Sequence, residues 1–274
     1  MPRIQLIRAF ALVFLAAARV TAAHADTSDQ LLPPTLEQVE GLHGEDGDAP
    51  SSIMAVRRDA QREAALSLGA RAGLAFRTWE IRKHLARSEH SLAQTFDFRR
   101  LLIAAPSGLL IEPPVVSEGQ SALIIKEGGQ SAAVADRILM IQQQAKIVSA
   151  PRDWRFYLER DWGVVKPPPA LLLPKTDEEE ASWRKMVAEG WKAGLQQADE
   201  IFQTDLDRMT RDFAGMVRYR ELLARNMISA PYALLEDRGV TGGGSTMRVG
   251  DRAVRITGPA KLDAKAERWI ALPQ

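Results

Sequence analysis

The stretch Leu172–Pro231 reads LLPKTDEEEASWRKMVAEGWKAGLQQADEIFQTDLDRMTRDFAGMVRYRELLARNMISAP, and its reading decides the fold. Thr176 and Glu179 have the spacing of a capping box, and the acids from Asp177 to Glu180 lie at what would be the positive end of a helix dipole. Val187, Trp191, Leu195, Ala198, Phe202, Leu206, Met209, Phe213, Met216, Leu223 and Met227 then recur at three- and four-residue steps. No proline follows Pro174 until Pro231. The spacing predicts a single helix over Asp177–Ile228, ~78 Å long if unbroken. Gly190, Gly194 and Gly215 are the places where it would kink.

Upstream, Ile53–Arg87 has the same helical period through Ala64, Leu68, Ala72, Phe76 and Trp79. Gly69 and Gly73 stand four apart on one face of it. Glycine costs ~1 kcal/mol in a helix interior, so close approach of another backbone is expected there. Ser91–Ala104 reads as a further helix. Ala150–Trp162 reads as a short aromatic helix with Pro151 in its first turn, followed by the stiff spacer Lys166-Pro167-Pro168-Pro169.

Between and after these helices the period changes. Leu109–Val116 is held extended by Pro113 and Pro114. Ala122–Lys126 reads as a strand. Ala132–Val148 reads as a hairpin turning near Asp136-Arg137, and Met247–Ile256 as a second one turning at Gly250-Asp251. Both carry V-x-D-R-x-x-x-I, which points to pairing of the two hairpins in one sheet. The expected fold is α+β: helix-rich, with one long helix and a small antiparallel sheet from two hairpins.

Arg3 and Arg8, the apolar run Ala9–Ala18, and Ala23-His24-Ala25 follow the order of a secretory signal, with Ala23 and Ala25 read by the peptidase and Asp26 the first mature residue. The run is about half the roughly 20 residues that a membrane span needs. The expected organisation is a signal over 1–25, a flexible leader over 26–52 rich in Asp, Glu, Gly, Pro and Ser, and one α+β domain over 53–274. The 274 residues include 36 basic and 35 acidic side chains. Removing the signal takes three arginines and leaves 33 basic against 35 acidic. That balance is not the electrostatic footprint of a nucleic-acid binder. No cysteine is present, which excludes disulfides, a lipidated cysteine, thiolate zinc sites and cysteine nucleophiles.

No constellation points to catalysis, a cofactor or a metal. The four histidines form no metal spacing. Ser182-Trp183-Arg184-Lys185 matches S-x-x-K, but no K-T-G or S-x-N follows it, so a helix surface explains it better. Gly190-x-x-x-Gly194 lies among residues too polar for lipid and reads as packing between soluble helices. Trp154 and Tyr157, beside the proline spacer, and Trp191 on the long helix are the candidates for partner contact, because Trp and Tyr are enriched at interface hot spots.

Five segments resemble the DotC family of type IVB (Dot/Icm and conjugative plasmid) secretion systems. They are SLGARAGLAFRTWEI at Ser67–Ile81, FDFRRLLI at Phe96–Ile103, APRDWRFYL at Ala150–Leu158, the long stretch Leu172–Pro231, and GVTGGGSTMRVGDRAVRITG at Gly239–Gly258. The resemblance implies a periplasmic, non-catalytic structural subunit. It would sit in the outer-membrane core ring with a DotD-like lipoprotein and a DotH-like subunit, and help place the latter. Familiar members carry a lipidated cysteine after the signal; none is present here, so outer-membrane association is expected through partners. An exported cell-wall hydrolase and a periplasmic chaperone or adaptor are the alternatives.

Overall fold

The computed structural model describes residues 32–44, 54–105, 110–125 and 132–270. The chain divides into a unit Met1–Leu32, of which only Leu32 is described, and a unit Pro33–Gln274. The expected cleavage residues Ala23, Ala25 and Asp26 therefore lie outside the described residues.

In chain order the second unit contains α1 (Leu36–Glu40), α2 (Met54–Arg87), α3 (Glu89–Thr95), β1 (Ile103–Ala104), β2 (Leu110–Glu112), β3 (Val115–Ile125), β4 (Ala132–Gln143), β5 (Lys146–Val148), α4 (Trp154–Leu158), α5 (Asp177–Ala224), β6 (Tyr232–Gly243) and β7 (Thr246–Gly258). The α+β class and the long helix are as expected. α5 runs unbroken for 48 residues, ~72 Å. Thr176 caps it by accepting from the Glu179 backbone N–H at 3.3 Å. It ends four residues before Ile228. Asn226 takes the left-handed conformation at φ 57°, and the N–H groups of Asn226 and Met227 donate to the carbonyls of Leu223 and Leu222. This is a Schellman closure with asparagine in the usual place of glycine. The apolar period carries on through Met227, which is why the sequence reads as helix beyond the true end.

α2 and α5 lie side by side and run parallel. Near their N-terminal ends Arg57 pairs with Glu179, and further along Arg77 Nε donates to Asp199 at 2.8 Å. Between these pairs the helices touch backbone to backbone. A methyl carbon added to Gly69 or Gly73 would overlap the carbonyl of Val187 or Trp191, and one on Gly190 or Gly194 the carbonyl of Leu66 or Ala70. Two glycine pairs thus interlock, each facing the other helix's carbonyls in the manner of Cα–H···O contacts. Gly190 and Gly194 mark close packing, and α5 is one continuous helix through both. Around the glycines Ala65, Leu68, Ala72, Trp183, Val187 and Trp191 form one core cluster.

That cluster includes Val39 of α1, whose carbonyl accepts from Trp183 Nε1 at 3.1 Å. Leu36–Glu40 lies inside the expected flexible leader, so the leader is corrected at this point. A capping box between Thr35 and Gln38 and the burial of Val39 give this short turn its order.

The sheets differ from expectation in register. β4 pairs antiparallel with β3, placing Ile125 opposite Ala132, so the connection falls in 126–131, outside the described residues. Asp136 and Arg137 are mid-strand, and Arg137 pairs with Glu118 across the ribbon at 3.2 Å. β5 pairs instead with β2 in a three-stranded sheet β1-β2-β5. β7 pairs with β6, turning between Gly243 and Thr246, and Gly250, at φ 71°, is a bulge rather than a turn. The ribbons β3–β4 and β6–β7 form separate two-stranded sheets and do not join. The expected helix Ser91–Ala104 is also shorter. α3 stops at Thr95, a 3₁₀ turn follows at Phe98–Leu101 with Asp97 accepting from Arg99 N–H at 3.2 Å, and β1 begins at Ile103.

Candidate interaction site

Two places concentrate polar chemistry or unsatisfied surface: a buried set of ion pairs where α4 crosses α5, and the projecting ribbon β6–β7. α4 is five residues long, capped by Asp153, which accepts from Phe156 N–H at 3.1 Å. Pro151 lies outside it, ahead of the cap. α4 and its flanks supply Arg152, Tyr157 and Arg160; α5 supplies Asp205 and Asp212.

Asp212 is 1% exposed, Asp205 4% and Glu112 5%. Burial of a carboxylate is costly unless it is paired, and each of these is. Arg152 Nε donates to Glu112 at 2.8 Å, and its Nη1 stands 3.6 Å from Asp212. Tyr157 donates its hydroxyl proton to Asp212 at 3.1 Å, and Arg160 Nη2 donates to Asp205 at 3.0 Å. Burial, with the Asp212 carboxylate adding to it against the opposing pull of Arg152, pushes the Tyr157 hydroxyl well above its ordinary value. Tyr157 stays a neutral donor. The arrangement clamps the segment around α4 onto the long helix. Leu85, Phe98, Leu101, Val115, Trp154, Met209 and Met216 close over it as an apolar cluster.

The sequence signal for this clamp is faint. Asp205 and Asp212 are seven apart and fall on the apolar stripe of α5 with Met209 and Met216. An acid on a buried stripe needs a cation, and the arginines of Arg152–Arg160 supply it. Glu112 meets its partner from 40 residues away along the chain, so no local pattern marks it.

Trp154, Tyr157 and Trp191, expected as partner contacts, are 4%, 2% and 9% exposed. They are core anchors: Trp154 and Tyr157 in the cluster at α4, Trp191 between α2 and α5. Their surfaces are already spent within the chain. Ser182 is half-buried and Lys185 is exposed on α5. Among the described residues no group of three or more His, Asp or Glu could hold a metal ion. No helix among them is long and apolar enough to cross a membrane.

Exposed apolar surface is found on the ribbon instead. β6 and β7 pair only with each other, and an isolated two-stranded ribbon is marginal in water. Thr241 Oγ1 donates to Asp251 at 2.7 Å, which fixes these two on one face. Val240 and Val249, register partners, lie on the other face, with Met247 opposite Gly242 two places nearer the tip. At the ribbon's base Ala233, Leu235, Val254 and Ile256 are half-buried. Towards the tip Val240, Met247 and Val249 are 61%, 68% and 74% exposed. The apolar residues extend further along the ribbon than the chain itself covers.

The model of the family T4SS_TraI, described as type IV secretory system, conjugal DNA-protein transfer, matches residues 55–271. This chain belongs to the T4SS_TraI family. The match takes in α2, the α4–α5 clamp and both ribbons. No curated protein matches the chain. A T4SS_TraI protein takes part in type IV secretion and conjugal transfer, in partnership with other components of that system.

Proposed function

We propose that this T4SS_TraI protein is a non-catalytic, periplasmic structural subunit of the DotC type. It would sit in the outer-membrane core complex of a type IVB secretion or conjugal transfer apparatus. Its partners are a DotD-like lipoprotein and a DotH-like subunit, which it helps to place, in a ring of repeated copies. The observation that carries the reading is the family match across nearly all of the described helical and strand framework. The structure adds a physical rationale: a long parallel helix pair locked at backbone distance, with its buried carboxylates neutralised internally. Such a body suits a fixed spacer between neighbours.

A tagged chain recovered from its own cells tests the proposal. Co-purification with a DotH-like or DotD-like subunit from the outer-membrane fraction is the expected result. Recovery of the chain alone and soluble would overturn the placement. Activity on cell-wall glycan strands or peptides would favour the hydrolase reading instead.

A further inference from the structure

The distal half of the β6–β7 ribbon, Gly239–Gly250, reads GVTGGGSTMRVG. Its only charge is Arg248. Among the described residues Arg248 has no side-chain partner. The nearest acid on β7, Asp251, is engaged by the Thr241 hydroxyl at 2.7 Å. The end of the ribbon is therefore small, glycine-rich and acid-free. It exposes Val240, Met247 and Val249 by more than half their surface each.

We propose that this tip is a peripheral membrane contact that inserts Val240, Met247 and Val249 into the headgroup–acyl boundary of an anionic lipid surface, with Arg248 meeting the phosphates. Interfacial elements bury apolar side chains roughly 5–10 Å deep. The paired run from Gly239 to Gly243 extends about 14 Å at ~3.4 Å per residue. The tip can reach that depth before Asp237 or Asp251 meets the surface. Arg248, on the Thr241 face opposite the apolar one, complements anionic headgroups and strengthens binding about fivefold. Area argues against a protein occupant. Three side chains at the end of a two-stranded ribbon fall far short of the ~800 Å² per partner of a stable protein interface, whereas interfacial insertion needs only a few.

The inference rests on the exported placement proposed above, but the two fail separately. Flotation of the purified full chain with vesicles tests the tip, and fractionation of cells tests the placement. The chain is expected to float with phosphatidylethanolamine–phosphatidylglycerol vesicles and not with phosphatidylcholine alone. Val249→Asp should lower partitioning about tenfold or more, through loss of an apolar anchor. Arg248→Ala should lower it about fivefold, and that difference should vanish at 1 M salt, where screening acts over ~3 Å. Both positions are exposed, so unchanged circular dichroism separates lost binding from lost fold. Equal flotation on both vesicles, no flotation on either, or a Val249→Asp variant indistinguishable from the unaltered chain would overturn the proposal. So would photo-crosslinks from position 249 that reach only protein in intact envelopes.

Discussion

Gly190 of α5 sits directly against the Leu66 carbonyl of α2, and a methyl carbon on it would also stand 2.9 Å from the Ala70 nitrogen. Helix propensity and packing make opposite predictions at this residue. Alanine is the better helix former by ~1 kcal/mol, so a position free of contact would gain stability from Gly190→Ala. Here the helices must separate instead. We expect Gly190→Ala to destabilise the chain by about 2 kcal/mol or more and Gly190→Leu by more still, read as the urea midpoint. Gly119→Ala, where nothing lies within 4 Å of the added carbon, should be near neutral.

Arg152 neutralises two buried carboxylates, Glu112 and Asp212. Arg152→Met leaves Glu112 without its cation and Asp212 with only Arg211, at 3.4 Å, and the expected loss is about 3–5 kcal/mol. The double variant Arg152→Met/Glu112→Met should recover part of that loss, because it removes a stranded charge along with its partner. Equilibrium unfolding of the two variants, compared as a cycle, checks both statements.

Much of this framework was legible in the sequence, and the clamp was not. α2 and α5 announce themselves because each is a long periodic run, and α5 adds the Thr176–Glu179 cap. Gly69, Gly73, Gly190 and Gly194 even pointed to backbone contact. Strand pairing was harder to read. Gly250 and Asp251 look like a turn, but a glycine with positive φ serves a bulge equally well, and the turn belongs to the run around Gly244. Asp136-Arg137 looked like a turn because it is charged, whereas Arg137 is there to meet Glu118 across the strand. Trp154, Tyr157 and Trp191 illustrate a further ambiguity. Composition alone does not separate an aromatic that anchors a core from one that anchors a partner. The Asp212 network depends on residues from β2, α4 and α5 converging, and no local pattern encodes that.

Stability should fall in acid through Glu179. Burial alone would push its carboxyl up, but the Arg57 guanidinium and the Lys175 backbone N–H outweigh that and hold it below the ordinary glutamate range. A depressed folded pKa contributes stability that is present above the ordinary value and lost as pH falls through the folded one. Urea midpoints followed downwards from about pH 6 should decline on that limb, and Glu179→Gln should flatten it.

Tyr157 acts at the other end of the scale. Its raised pKa keeps the hydroxyl neutral, and the associated stability is complete below the ordinary tyrosine value and lost as pH rises through the folded one. Tyr157→Phe removes the donor to Asp212 and should cost about 1.5–3 kcal/mol, as for a hydrogen bond to a charged group. Ultraviolet titration should show two tyrosines, Tyr157 and Tyr219, ionising later in the folded chain than in the unfolded one, and one of them missing from Tyr157→Phe.

The parallel course of α2 and α5 has a mechanical consequence. Four glycines each seat a carbonyl of the opposite helix, so the pair has one longitudinal setting. A slip of one residue, ~1.5 Å along the axis, would drive side chains such as Ala70 or Trp191 into the places the glycines leave open. Helices in contact through long side chains can creep past one another by rotamer changes; these cannot. A pull on the ribbon end of α5 is therefore passed to the Arg57–Glu179 end without slack, as along a keyed shaft, and the molecule holds its length under load.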